Sequence, residues 1–456
     1  MTDTVNKRVA LLVSTLASFF TPFMGSSVNI ALPSIAREFS LNTVLLSWIA
    51  TSYLLSAAMF LVPLGKIADI CGRKKIFLYG ITVYTCSSFL SGISTSIPML
   101  IISRIIQGFG GAMIFGTGIA ILTSVFPEGE RGKALGINVS STYLGLSLGP
   151  VLGGFLTQHF GWRSIFYANV PIGLIIIILV LWKLRGEWAG AKGEKFDFTG
   201  SMMYGLALVS IMYGFSILTS ATGKLLIPLG ILGILLFIWW EMRVESPVLT
   251  MNLFKNNRVF IFSNLSALIN YSATFAVGFL LSLYLQYIKG LGPQNAGLIL
   301  ISQPVVMAMF SPIAGRLSDR IEPRIVASAG MAITVIGLSL FIFLQDNTTV
   351  QYIVVSLIII GFGFALFSSP NTNAIMSSVD RKFYGVSSAM LATMRLVGNT
   401  LSMGISTLIF ALHIGKVQIT QQYNVHLLKD IQTAFVISAL ICFCGIFASL
   451  VRGNLR

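Results

Sequence analysis

Long stretches without a single acid or base constrain this chain more than any motif does. Residues 9–36, 44–65, 76–97, 134–160, 198–223 and 259–288 contain no Asp, Glu, Lys or Arg. Each reaches or exceeds the roughly 20 residues that a helix needs to cross a bilayer core. In hydrocarbon a peptide group has no water to bond, so a spanning segment must satisfy its backbone internally, as a helix does. Composition agrees: 10% of the residues are charged and 55% hydrophobic, where a soluble domain carries about 25% charged residues. The sequence predicts an all-α, polytopic membrane protein whose main surroundings are a lipid bilayer.

Fourteen transmembrane helices are expected, near residues 9–36, 44–65, 76–97, 98–125, 134–160, 164–182, 198–223, 225–240, 259–288, 291–315, 325–345, 347–379, 383–414 and 431–451. The connection between the seventh and eighth is tight. Lys7 and Arg8 precede an apolar run too long for a signal-peptide core, so the first run reads as a retained helix. The net charge of +15 would suggest nucleic acid in a soluble protein. Here the thirty Lys and Arg sort by side: twenty-two fall on one face, six on the other, and Arg104 and Arg395 within spans. That is the positive-inside pattern. It predicts both termini in the cytoplasm, a multi-pass protein of the plasma membrane, and no nucleic-acid partner. Cys71, Cys86, Cys442 and Cys444 form no disulfide or zinc pattern. With no nucleophile–base pair and no phosphate loop, neither an enzyme nor an ATP-driven pump is expected, and no cofactor or metal is called for.

Three charged or glycine-rich stretches interrupt this pattern. Gly65-Lys66-Ile67-Ala68-Asp69-Ile70-Cys71-Gly72-Arg73-Lys74-Lys75 packs one carboxylate, four cations and two glycines between apolar runs. A shorter echo, Gly315-Arg316-Leu317-Ser318-Asp319-Arg320, begins 250 residues later and divides the chain into two similar halves. The expected organisation is a six-helix bundle over 1–185, a linker with two extra helices over 186–257, and a second six-helix bundle over 258–456. Arg104 lies inside the fourth span, followed by Gln107 and Gly108. A charge at helix centre costs about 2.5–3.5 kcal/mol on insertion scales, so it marks either function or an organising hydrogen-bond donor, here to carbonyls of the first helix. In the fifth span, Gly145, Gly149, Pro150, Gly153 and Gly154 would let the helix bend and approach its neighbours closely.

With these motifs the chain resembles the major facilitator superfamily over essentially its whole length, specifically its fourteen-helix drug:proton antiporter branch. The resemblance implies two bundles that rock about a central site by alternating access. It makes residues 65–75 a conformational latch through Gly65, Asp69, Gly72 and Arg73, with Gly315 and Asp319 in the repeat. It links Arg104 to proton coupling and makes 145–154 an exporter motif. Gly161-Trp162-Arg163 through Asn169-Val170-Pro171 resembles the branch's entry to the sixth helix, and Asn29 through Pro33 the end of its first-helix motif. There the pattern breaks, because the family's first-helix aspartate falls on Met24. No Asp or Glu lies in the expected spans, which leaves Asp69, Asp319, Glu128 and His159 as candidates for titration. The implied function is secondary active export of amphipathic small molecules, as multidrug efflux by proton antiport, from a monomer. The missing acids keep open a dedicated exporter of a neutral or anionic metabolite or lipid; a non-transporting sensor is a third possibility. Arg395 could receive an anionic or zwitterionic substrate or bond nearby carbonyls. Candidate cavity residues are Met24, Asn29, Tyr53, Gln107, Asn264, Asn270, Tyr271, Gln303, Asn371, Asn373 and Asn399.

Overall fold

Each charge-free run becomes a helix, and the polar stretches become its ends. A computed structural model of the chain describes residues 2–126, 128–218, 220–249, 257–379, 384–413 and 424–453. The first half holds α1 (Thr2–Phe39), α2 (Thr43–Cys71), α3 (Arg73–Gly92), α4 (Ile97–Val125), α5 (Glu128–Phe160) and α6 (Arg163–Trp182). Two extra helices follow, α7 (Phe198–Ser216) and α8 (Ala221–Glu241). The second half is more broken. Its first crossing joins α9 (Arg258–Thr274), α10 (Val277–Leu283) and a π-turn (Tyr284–Ile288); its second joins α11 (Pro293–Leu300) to α12 (Ser302–Arg320). Then come α13 (Pro323–Leu340), α14 (Val350–Ser377), α15 (Tyr384–His413) and α16 (Asn424–Val451).

Thirteen helical segments among the described residues are long and apolar enough to cross a membrane. The fourteenth, α3, falls short because three cations open it, yet it packs between α4 and α6 and buries Phe77, Ile81 and Tyr84. Helices α1–α6 form one bundle, with α5 laid along α1 and α4 against α2 and α3. Helices α9–α16 form the other, with α14 against α12 and α13 and α16 against α9 and α13. The bundles meet along two seams, α2 on α15 and α5 on α11 and α12. Helix α7 lies over the first seam: the Tyr204 hydroxyl donates to Ala58 O of α2 at 3.1 Å and meets Thr393 of α15. Helix α8 packs on α7, and Leu225, Leu229, Leu232 and Leu235 on it remain exposed, as lipid-facing residues should.

Several helices outrun the expected spans. Helix α1 continues to Phe39, α2 to Cys71, α8 to Glu241, and α16 begins at Asn424. Apolar length sets where a span must be, but a helix continues until a cap or a break stops it. The extensions bring Glu38, Asp69, Glu241 and Asp430 into helices. Glu241 and Asp430 are buried, at 3% and 1% exposure. The expectation that no carboxylate lies within a span is therefore corrected at these two positions.

Candidate translocation pathway

At the basic face the latch is a one-residue hinge rather than a loop. Helix α2 runs to Cys71, Gly72 turns the chain at φ +116°, and α3 starts at Arg73. That φ lies where only glycine sits without strain. Asp69 is therefore in the last turn of α2, the end at which the helix dipole disfavours an anion. Compensation comes from Arg73 one turn on, whose Nε and Nη2 both donate to Asp69 Oδ1 at 2.8 Å. The Arg73 Nη1 donates to Ser124 Oγ at 2.6 Å and to Ala120 O at 3.3 Å, which ties the hinge to the end of α4 in the same bundle.

The segment after α6 closes over this hinge. Arg73 N donates to Trp188 O at 2.8 Å and Ala191 N to Asp69 O at 3.0 Å. The Glu187 carboxylate accepts from Lys74 N at 2.8 Å, and Lys66 pairs with Glu194 at 2.6 Å. In the repeat, Ser318 accepts from Asn373 Nδ2 at 3.0 Å, and Gly315 lies against Ser369. The side chains of Asp319 and Glu128 lie outside the described residues.

At the opposite face the two halves are joined. Gln286 Nε2 donates to Ile30 O at 3.0 Å, the Ser282 hydroxyl to Asn29 O at 2.8 Å, and the Tyr287 hydroxyl to Pro33 O at 3.4 Å. Thr407 donates to Ser47 at 2.7 Å on the other seam. His159 faces Gln294 at 3.3 Å, so this titration candidate sits in the join. The fifth-helix motif faces two ways. Gly145, Gly149 and Gly153 let α5 press on α1, while Gly154 lies against Pro293 O of the other half. In return Gly297 of α11 sits on the Pro150 carbonyl so closely that a Cβ there would overlap it. Glycine on both partners is what allows these backbones to touch. Among the described residues the hydrogen bonds between the halves cluster at this face, with Tyr143 to Ser368 at 3.3 Å near mid-depth.

The two arginines expected within spans lie one in each bundle. Arg104 is 1% exposed; its Nε donates to Ile49 O at 3.1 Å, its Nη1 to Gln107 Oε1, and its guanidinium stands 4.5 Å from the Tyr53 ring centre. Gln107 in turn donates to Ser88 Oγ at 2.6 Å. The carbonyl it reaches belongs to α2, not to the first helix as the sequence suggested. Arg395, half-buried on α15, stands 5.0 Å from the ring centre of Tyr271, which is itself edge-on to Phe364. Its Nε is buried without a partner, as is the Oδ1 of Asn399 one turn further on.

The remaining cavity candidates are mostly inside bundles. Met24 is fully buried, and its sulfur accepts from Asn169 Nδ2 at 2.7 Å. Asn264 donates to Phe260 O within α9, and Asn270 faces Cys442. Asn371 donates to Ser263 O at 3.0 Å and accepts from Arg452 Nη1 at 2.9 Å. Arg452 is 1% exposed and clamps α9 to α14. Gln303 lies where α12 meets Gly361 of α14. Glu241 was missed because the expected span stops one residue short of it. Its Oε2 accepts from Leu249 N at 2.8 Å, and its other oxygen converges with Asp197 on Gly200.

Two helical bundles meeting at a seam with polar groups are an arrangement found in membrane transporters. The chain matches the family model described as Major Facilitator Superfamily over residues 14–254 and 264–454, and it belongs to that superfamily. It is 30% identical over 447 residues to the riboflavin transporter RibZ of Clostridioides difficile (strain 630), with 97% of each chain covered. It is also 30% identical to the multidrug resistance protein Stp of Mycobacterium tuberculosis (strain CDC 1551 / Oshkosh), covering 87% of this chain and 75% of that one. The multidrug transporter protein MdtP of Bacillus subtilis (strain 168) is 28% identical, with 87% and 74% covered. Among solved structures, a bacterial homolog of the human lysosomal transporter Spinster, inward-facing and unoccupied, superposes with a TM-score of 0.72 over 98% of this chain and 97% of that one. At 14% identity that likeness is one of fold alone. Transport, not an enzymatic reaction, is the class of activity to which the family assigns the chain.

Proposed function

We propose that this protein exports amphipathic small molecules across the plasma membrane as a secondary active transporter, with its basic face and both termini in the cytoplasm. The observation that carries this reading is the join at the opposite face, where Gly154 and Gly297 bring α5 and α11 into backbone contact. A conformer closed outside and free to part inside is the one that loads cytoplasmic cargo. Residues 1–185 and 258–456 are taken as the rocking bodies, and 186–257 as the tether between them. Relatives named for multidrug resistance support an amphipathic cargo, and a relative named for riboflavin supports one with an aromatic frame. The exporter motif in α5 favours outward transport.

Coupling to protons needs a group that can change protonation as access alternates. Glu241, beside Asp197, and Asp430 are buried carboxyls available for that role. Purified protein in proteoliposomes with an imposed pH gradient tests the reading. Gradient-driven movement of an aromatic dye that a protonophore abolishes is expected, and Glu241→Gln or Asp430→Asn should weaken the dependence on the gradient. Flux that ignores the gradient would remove the coupling; absence of flux for every dye would remove the transport.

A further inference from the structure

From the surroundings of Arg395 we infer that the central site takes an amphipathic organic anion, a carboxylate on an aromatic body, in preference to a cation. This deepens the transport reading above and rests on it. Three cationic side chains are sunk into the helical bundles; Arg104 and Arg452 each donate to two protein oxygens, although the second terminal nitrogen of Arg452 is also buried without a partner. Arg104 has the Ile49 carbonyl, the Gln107 amide oxygen and the Tyr53 ring. Arg452 has Ser263 and Asn371 Oδ1. Arg395 has the Tyr271 ring, a hydrogen bond to the Tyr271 hydroxyl, and no carboxylate in an ion pair among the described residues. Its Nε is closed off from solvent with nothing to receive its hydrogen.

A guanidinium is a planar fork of donors that matches a carboxylate through two parallel hydrogen bonds. Leaving such a donor unmet in a buried place costs free energy that a bound anion would recover. The walls suit an aromatic guest. Tyr271 lies beneath the guanidinium with Phe364 against it, and Tyr143 reaches from the other half to Ser368 on the same helix as Phe364. The hydroxyls of Tyr143 and Ser368 belong to different bundles, so a molecule held there touches both rocking bodies. Among the described residues no carboxylate forms an ion pair with Arg395, so the resident positive charge there disfavours a cation.

The test uses three ligands with one aromatic frame: pyrenebutyrate, its methyl ester and the corresponding pyrene butylammonium. Binding is read by fluorescence anisotropy with the full chain in neutral-lipid nanodiscs, which needs no transport. The carboxylate should bind about tenfold or more tightly than the ammonium, the size of one charge-assisted hydrogen bond. Arg395→Gln should erase that preference, lowering carboxylate affinity far more than ester affinity, and Arg395→Lys should restore part of it. Ester binding controls for folding, and Asn399→Ala gives a second variant if Arg395→Gln does not fold. Equal or tighter binding of the ammonium, a preference that survives Arg395→Gln, or no binding of any of the three overturns the proposal. Flux of the same ligands in proteoliposomes is read separately: anion-selective binding without flux would sink the transport reading and leave the site standing.

Discussion

Arg104 and Arg395 are alike in sequence, each a lone cation within an apolar helix, and opposite in structure. Arg104 is 1% exposed and stitches α4 to α2 and, through Gln107, to α3. Arg395 lies beside the seam between the halves, held by the ring and hydroxyl of Tyr271 with its Nε donor left over. A charge inside a membrane protein is costly in either place. What separates a fastening from a receptor is whether the protein itself completes the hydrogen bonds.

The comparison breaks most readily on stability. Arg104→Ala should lower the unfolding free energy by roughly 3 kcal/mol, because Ile49 O and Gln107 Oε1 lose their donor in a dry interior. Arg395→Ala should cost under about 1 kcal/mol, since it removes few satisfied contacts. Thermal unfolding of the two purified variants in one detergent checks the order, and equal losses would erase the distinction. A smaller effect is expected at the seam. Gly297→Leu forces a side chain onto the Pro150 carbonyl, and overpacking of about 1–3 kcal/mol should slow dye export about tenfold or more; unchanged flux would mean that this contact does not govern closure. The smallest effect belongs to the latch. Asp69 and Arg73 are partly exposed, so Asp69→Asn should shift the equilibrium between conformers by only about 0.2–1 kcal/mol. Single-molecule fluorescence between the two halves would register it, and a complete arrest would show that the pair does far more than an exposed ion pair can.

Much of the architecture was legible because hydrocarbon leaves few options: a long charge-free run has to be a helix. The repeated Gly–Asp motif likewise gave the two halves. The ends were harder. Glu241 and Asp430 lie one residue beyond the expected spans, where polarity suggests a boundary and the helix simply continues. The kinked crossings of the second half were invisible for another reason. The breaks at Phe275-Ala276 and Ile301 follow from tertiary packing, as where Ser402 caps Ala276 N. Composition could nominate Asn264, Asn270 and Asn371 as cavity residues, but which face of a helix meets a partner depends on the neighbouring helices. These three turned inward to fasten the second bundle, whereas Tyr271 lies under Arg395 and Asn399, one turn on, keeps its Oδ1 without a partner.

Alternating access is tested most directly by distances at both faces at once. Spin labels on α1 and α11 near the opposite face, and on α4 and α14 near the basic face, can be read in nanodiscs with and without an amphipathic aromatic ligand and across a pH series. The expected result is reciprocal: conditions that lengthen the first distance shorten the second, as the join through Gly154 and Gly297 opens and the basic face closes. Two distances that stay fixed, or that lengthen together, would contradict a transporter that rocks about this seam.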